Sequence, residues 1–387
     1  MAERRRYALS GLSRRAMSVF TRPLGGAYAE SGEIVAVCDP DEARVRDLDP
    51  ALPWYPPDRL DDLITETRPD TLLVAGPDHT HAEAILTGLA RGLAVVSEKP
   101  MVTTARDAAR IVAADPGGRV RVTHNLRYAP RHQAVKRLLM AGEIGRVVSV
   151  ELVWNVETLH GASYFQRWNR RAELSGGLQV HKSCHHFDLV GWWLADVPVQ
   201  VFGYGSRAYY GAGSPHAADD PYRRRWAEEG VSLPDSPLGH IYDTEIDIED
   251  NYAALVRYRG GAHLSYSIQF SAPWEGYRLG INGTHGRIEA TLEYGRQASG
   301  PPEPIVVFPM FGDRRELVVE GEVGGHLGAD ELLVRDLFTG GGDDPLGLRA
   351  GSLDGARAVA VGEAVRLSSR TGQPVDVEAL LASGCPT

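Results

Sequence analysis

Short apolar runs alternate with amphipathic stretches through the first third of the chain. Tyr7–Gly11, Glu33–Cys38, Thr71–Ala75, Leu93–Ser97 and Arg119–Thr123 each read as a buried strand. Between them, Ala16–Ala29 (interrupted by Pro23, Gly25 and Gly26), His79–Arg91 and Thr104–Ala114 read as helices. Strands alternating with helices predict a parallel sheet covered on both faces. After Tyr128 the pattern changes. Pro130–Ala141 predicts one more helix, closed by Gly142, and Arg146–Trp154 a partly alternating strand. A loop-rich stretch is expected up to Gly177, then a helix from about Lys182 to Leu194. Strand candidates follow at Val199–Gly203, Tyr252–Tyr258, Ala262–Ile268, Tyr277–Ile281 and Arg287–Ala290. The last four are joined by turns such as Arg259-Gly260-Gly261, which predicts antiparallel pairing. Asp330–Phe338 and Ala356–Ser369 are expected as closing helices. The division is therefore an α/β domain over residues 1–128 and a domain with a mostly antiparallel sheet over residues 129–387.

Composition narrows the class. A chain of 387 residues exceeds one ordinary core, and 43% hydrophobic residues suffice to build two. A net charge of −10 argues against nucleic acid as a partner, since phosphate backbones need a basic surface. One anionic cofactor can still be held by local backbone donors. The three cysteines, Cys38, Cys184 and Cys385, are too sparse for a disulfide framework and fit a reducing cytoplasm. No apolar run of signal length follows the basic start, and none is long enough to span a membrane, so a cytoplasmic protein without a membrane partner is expected.

Three segments carry chemistry. In the first, Gly11-Leu12-Ser13-Arg14-Arg15-Ala16 joins the first strand to the first helix, where a pyrophosphate meets helix N–H groups. Gly11, Ser13 and Ala16 stand where three glycines are usual, and an ordinary strand-to-helix turn remains an alternative reading. Asp39, ending the second strand, suits the hydroxyls of an adenosine ribose and would repel a 2′-phosphate, which favours NAD over NADP. Its plain alternative is a helix cap, and Arg14 or Arg15 could still meet a phosphate. In the second, Glu98-Lys99-Pro100 ends a parallel strand, the side on which such sheets bind ligands. Lys99 there can hydrogen-bond a substrate hydroxyl and stabilise a developing alkoxide, with Pro100 fixing the turn through a cis bond; a surface lysine is the alternative. The third runs from Gly176 to Asp188. A helix starting near His181 would put His181, His185 and Asp188 on one face, and a histidine is a natural base for an alcohol proton. Core histidines, or a metal on His181, Cys184 and His185, are the competing readings. Cys184 does not share the face of both histidines, so no metal is expected.

These residues together resemble the Gfo/Idh/MocA oxidoreductase family over nearly the whole chain. The resemblance rests on Pro77-Asp78-His79-Thr80-His81, Glu98-Lys99-Pro100, Asn125-Leu126-Arg127-Tyr128 and Gly176–Asp188. It continues more loosely in Glu245–Asp250 and Trp274-Glu275-Gly276-Tyr277-Arg278. It implies an N-terminal Rossmann domain followed by an α+β domain, a sugar or cyclitol substrate, NAD or NADP, and a homodimer or homotetramer formed through the open sheet. It implies Lys99 as the catalytic lysine and His185 as the acid/base histidine. It adds Pro77, His79, His81, Glu98 and Asn125 to the cofactor side. Where the family often has Asp four residues before that histidine, this chain has His181 followed by Lys182, which marks a His-Lys variant.

The expected reaction is hydride transfer between a sugar carbinol carbon and the nicotinamide. His185 takes the hydroxyl proton, Lys99 polarises the oxygen, and His181 and Lys182 shape the substrate side. Arg127, Tyr128, Trp154, Tyr164, Arg167 and Trp168 are candidate substrate contacts, since aromatic rings and guanidinium groups suit sugar faces and anionic substituents. Each has a core or surface alternative. Two rivals remain: a redox-neutral glycosidase that oxidises a sugar carbon transiently, and a non-catalytic cofactor-bound sensor.

Overall fold

In the computed structural model, residues 4–217, 241–294, 303–320 and 328–383 are described. They fall into two compact units. One comprises Met1–Gln133, Gly321–Val359 and Leu381–Thr387, the other Ala134–Glu320 and Ala360–Leu380.

The first unit is built on a sheet of β1 (Arg5–Ser10), β2 (Gly32–Cys38), β3 (Trp54–Tyr55), β4 (Thr71–Val74), β5 (Ala94–Ser97) and β6 (Val120–Val122), with β15 (Ala350–Gly351) on its edge. The order is β15-β6-β5-β4-β1-β2-β3, parallel throughout except for β15. The five expected strands are present within one or two residues. Between β2 and β4 lie β3 and the helices Glu42–Leu48 and Leu60–Thr67, none of which the hydrophobic pattern had marked. β3 has only two residues, too few for a period. The strand order reverses between β1 and β4, which opens a ligand crevice beyond their C-terminal ends.

The helix expected over Ala16–Ala29 stops at Leu24 and is not uniform. Short α-helical pieces, Arg14–Ala16 and Arg22–Leu24, flank a π-helical turn at Met17–Thr21. The Arg22 N–H reaches back five residues to the Met17 carbonyl. The ladder is thus widened beside Pro23, which has no N–H to donate.

The boundary at 128/129 is also revised, because the helix Ala329–Thr339 returns to the first unit. Its Leu333, Val334, Leu337 and Phe338 complete a core with Tyr7, Leu9, Leu12, Phe20 and Leu73. Amphipathic spacing identifies such a helix but not the sheet it covers. Polar contacts reinforce the return. Asp336 accepts from Tyr128 Oη at 2.7 Å and from Arg349 at 2.8 Å, and it pairs with Arg121. Burial opposes the Asp336 charge, but Arg349, Tyr128 and Arg121 outweigh it and bring its pKa to about 2. A carboxylate depressed by folding contributes stability above its unfolded pKa and loses it as pH falls through the folded one. Asp336→Asn should therefore lower the melting temperature at neutral pH. That deficit should shrink as pH falls from about 4 toward about 2; a deficit independent of pH would contradict the assignment.

Among the described residues, the second unit holds nine strands in the order β14-β13-β12-β11-β7-β10-β9-β8-β16. They are β7 (Val147–Glu157), β8 (Pro198–Ser206), β9 (Asn251–Tyr258), β10 (His263–Ala272), β11 (Glu275–Gly283), β12 (Gly286–Tyr294), β13 (Ile305–Pro309), β14 (Arg315–Leu317) and β16 (Val375–Asp376). β9 pairs antiparallel with β10, and β11 with β12, as expected. β10 and β11 do not pair. β7 lies between them, parallel to β10 and antiparallel to β11. Buried Val150, Leu152 and Trp154 alternate along β7, which suits it to the middle of a sheet covered on one face.

The stretch expected as loop before Gly177 contains the helix Thr158–Gln166, the 3-10 turn Trp168–Arg170 and the short helix Ala172–Ser175. His181 ends a separate turn, Leu178–His181, and His185 begins the helix Cys184–Leu194. The two histidines are therefore not on one continuous helix, because the chain turns at Lys182-Ser183 between them. Among the described residues, no helix is long and apolar enough to cross a membrane.

Candidate active site

In the first unit, Gly11 has φ +88°, and a Cβ there would lie 2.2 Å from the Gly76 Cα. The ends of β1 and β4 thus approach at backbone distance, as the glycines of a dinucleotide turn require. Ser13 caps the following turn, its Oγ accepting from the Ala16 N–H at 3.1 Å, and Ala16 is fully buried. Arg14 is exposed. Asp39 is buried, accepting from the Leu12 N–H at 2.6 Å and the Asp41 N–H at 2.9 Å. It holds the glycine turn in place and keeps lone pairs for further donors.

Arg15 is placed differently from a phosphate ligand. It lies 3.2 Å from Glu98 and makes a bidentate pair with Asp330 at 2.8 Å. Burial works against its charge, but the two carboxylates outweigh that and raise its pKa. Asp330 also accepts from Asn125 Nδ2 at 2.8 Å, while the buried Asn125 Oδ1 has no partner among the described residues. Pro77 and His79 are exposed on the turn after β4. His81, by contrast, is closed off, with its ring nitrogens each 2.9 Å from a carbonyl, of Pro100 and Gly76. It clasps two loops together instead of facing a ligand. Lys99 is partly exposed just beyond β5, and its bond to Pro100 is cis. Two substrate candidates serve this unit's own packing. Arg127 donates to the Gly347 carbonyl at 3.0 Å and pairs with Asp354 at 3.4 Å, and Tyr128 is engaged by Asp336. Gly76 and Asp330 escaped the sequence reading. Gly76-Pro77 carries a turn signal, but nothing local marks Asp330.

In the second unit, His181 accepts from Asn169 Nδ2 at 3.0 Å and meets the edges of Tyr164 and Trp168 at 5.6 Å each. Lys182 is buried, which lowers its pKa against the opposing pull of Glu275 and Cys184. His185 and Asp188 are largely buried. Trp154 is not an open sugar platform. It is 2% exposed and stacks on His186 and Tyr277 at 3.9 and 5.0 Å. Arg167 is exposed and donates to the Ser163 carbonyl at 3.0 Å. Of the aromatic candidates, Tyr164 and Trp168 border His181. Cys38 and Cys184 are buried and not in a disulfide, and Cys385 lies outside the described residues. Among the described residues, no group of three or more His, Cys, Asp or Glu is placed to hold a metal.

A parallel sheet with a crevice at its strand-order reversal, in a chain whose second unit carries a nine-stranded sheet, defines a two-domain nucleotide-binding class. Models of that class match the chain. The NAD-binding Rossmann domain of the family matches residues 6–125, and its C-terminal alpha/beta domain matches residues 136–377. The chain belongs to the Gfo/Idh/MocA oxidoreductase family. It is 41% identical to a protein named as an oxidoreductase, YteT of Bacillus subtilis, over 96% of this chain and 97% of that one. It is 31% identical to inositol 2-dehydrogenase 1 of Saccharopolyspora erythraea, over 61% of this chain and 65% of that one. The aldose-aldose oxidoreductase of Caulobacter crescentus, solved with glycerol, shares the fold with a TM-score of 0.66 at 18% identity, covering 97% of this chain and all of that one.

Proposed function

We propose that the protein moves a hydride between NAD and a hydroxyl-bearing carbon of a sugar or cyclitol. The observation that carries this reading is the position of Lys99, at the end of β5 in the sheet whose reversal point is lined by Gly11 and Gly76. The cofactor fits that unit's residues. The bare backbone at Gly11 and Gly76 admits a pyrophosphate, Asp39 can take ribose hydroxyls, and the unpartnered Asn125 Oδ1 can accept from a carboxamide. When bound, the nicotinamide supplies the hydride acceptor or donor.

Lys99 hydrogen-bonds the reacting oxygen and offsets its charge, while His185 holds or releases the hydroxyl proton. His181 and Lys182 shape the substrate side, with Tyr164 and Trp168 flanking the histidine. A buried lysine of lowered pKa exchanges protons more readily than an exposed one, which suits Lys182 to a hydroxyl-rich ligand. The inositol dehydrogenase among the relatives supports a cyclitol or sugar, and the relatives' redox names support net oxidation over redox-neutral hydrolysis. A cytoplasmic homodimer or homotetramer is the assembly this reading implies.

The test is a panel of inositols and aldoses with NAD, following NADH. Aglycone release from a glycoside with no net NADH would replace this reading by hydrolysis. Cofactor choice has its own test. Wild type should bind NADH more tightly than NADPH, and Asp39→Ser should weaken NADH by about tenfold, or ~1.4 kcal/mol, and narrow the gap. Tighter NADPH binding by wild type would refute the role of Asp39.

A further inference from the structure

Glu275, in a motif that the proposed reaction leaves unused, faces a cluster built around the helix Thr158–Gln166. Glu157 caps that helix, accepting from the N–H groups of Leu159 and His160. His160 and Tyr164, four residues apart, share one face of it. Glu275 opens β11, beside the end of β7, where its carboxylate accepts from the Glu157 N–H at 2.8 Å. The same carboxylate lies 3.0 Å from His160 Nδ1, and Tyr294 Oη reaches it at 3.3 Å. On the other side of the imidazole, Tyr164 Oη lies 3.2 Å from His160 Nε2.

A carboxylate only accepts, so His160 Nδ1 must carry the proton it shares with Glu275. In the neutral ring Nε2 is then an acceptor, and Tyr164 donates to it. The directions form one chain, from Tyr164 to His160 to Glu275. It has the order in which an acid holds a histidine that in turn serves a hydroxyl.

We propose that Glu275, His160 and Tyr164 form a proton relay, in which Tyr164 meets a substrate hydroxyl and His160 and Glu275 are positioning residues behind it. This rests on the reading that the second unit receives the polyol. Tyr164 is nearly buried and packs its ring edge on His181, within the segment assigned to the substrate. The His160 side chain is 45% exposed and opens the relay to water. The transfer balances. The reacting hydroxyl yields one proton; in the relay it goes to Tyr164 Oη, with His185 holding the hydroxyl by a hydrogen bond, and the tyrosine's own proton passes to His160 Nε2. The imidazolium, held by Glu275, then returns one proton to water.

The surrounding charges support this direction. Burial opposes the Glu275 charge, but His160, Lys182 and the Glu157 N–H outweigh it and lower its pKa, so it stays a carboxylate. The titratable or charged groups facing the relay are Glu157 on the same helix, Lys182 and His181 from the turn before the helix Cys184–Leu194, and Tyr294 from β12.

Nitrogen-15 NMR of histidine-labelled wild type tests the relay without any substrate. It should show His160 as the Nδ1–H tautomer, and Glu275→Gln should abolish that preference. An Nε2–H tautomer in wild type would overturn the proposal. With an active polyol, Tyr164→Phe and His160→Gln should each lower kcat/KM by about tenfold or more and remove the same limb of its pH profile. The double variant should be no worse than either single one, because one relay is lost once. Additive losses with an unchanged pH profile would mark a purely structural cluster. Should wild type turn over no polyol while the tautomer is as stated, the functional reading fails and the relay geometry stands.

Discussion

Replacing Lys99 by methionine should cut kcat/KM for the polyol by about a hundredfold to a thousandfold, the loss seen when one donor to a developing oxyanion is removed. Methionine keeps the stem and its packing but has no N–H to give. The residue is partly exposed just beyond β5, so little stability depends on it, and the melting temperature should stay near that of wild type. Of the charged neighbours in the motif, Glu98 is engaged by Arg15, and Arg15 by Asp330. Those charges are matched to one another. NADH binding, measured by fluorescence, should change by less than about threefold, since interactions made mainly in the transition state cost turnover and not affinity. Undiminished turnover by Lys99→Met would remove Lys99 from the chemistry.

How much of this was legible in the sequence differs between the two units. The parallel sheet was readable because its longer strands have short apolar centres, Tyr7–Leu9 in β1, Ile34–Cys38 in β2 and Leu72–Val74 in β4, followed by turn signals. The placement of Gly11, Asp39 and Lys99 at those strand ends was readable too, and it is that placement which makes them candidates. What failed was anything decided by distant partners. Arg15, Arg127 and Tyr128 have side chains suited to ligands, yet Asp330, Asp336, Gly347 and Asp354 claim them from about 200 residues or more away. Trp154 looked like a sugar platform because a strand end says nothing of what stacks on its ring. His160 and Glu275 went unread as a site for the same reason, since their meeting depends on β7 slotting between β10 and β11. Local pattern finds most of the longer strands but does not order them.

Gly11→Ala should be the most damaging small substitution in the nucleotide-binding unit, and a second glycine shows why. Gly118 also has positive φ, +64°, but a Cβ there meets nothing within 4 Å. Gly118→Ala should therefore cost only the left-handed backbone penalty, about 1–2 kcal/mol, with NADH affinity unchanged. Gly11→Ala incurs the same penalty at φ +88° and adds a collision 2.2 Å from the Gly76 Cα. That atom is backbone, so no rotamer change relieves it, and β1 and β4 must separate. Gly76 is not free to yield, because the buried His81 ring is wedged between its carbonyl and that of Pro100, 2.9 Å from each. A displaced Gly76 therefore disturbs the packing beside Pro100, next to Lys99, as well as the turn proposed to meet the pyrophosphate. We expect Gly11→Ala to destabilise by more than about 3 kcal/mol and to weaken NADH binding by about a hundredfold or more. Any protein that still loads with cofactor should also show a reduced kcat. Equal effects of the two alanines on melting temperature and NADH affinity would mean that the close approach of β1 and β4 is not what the glycine protects.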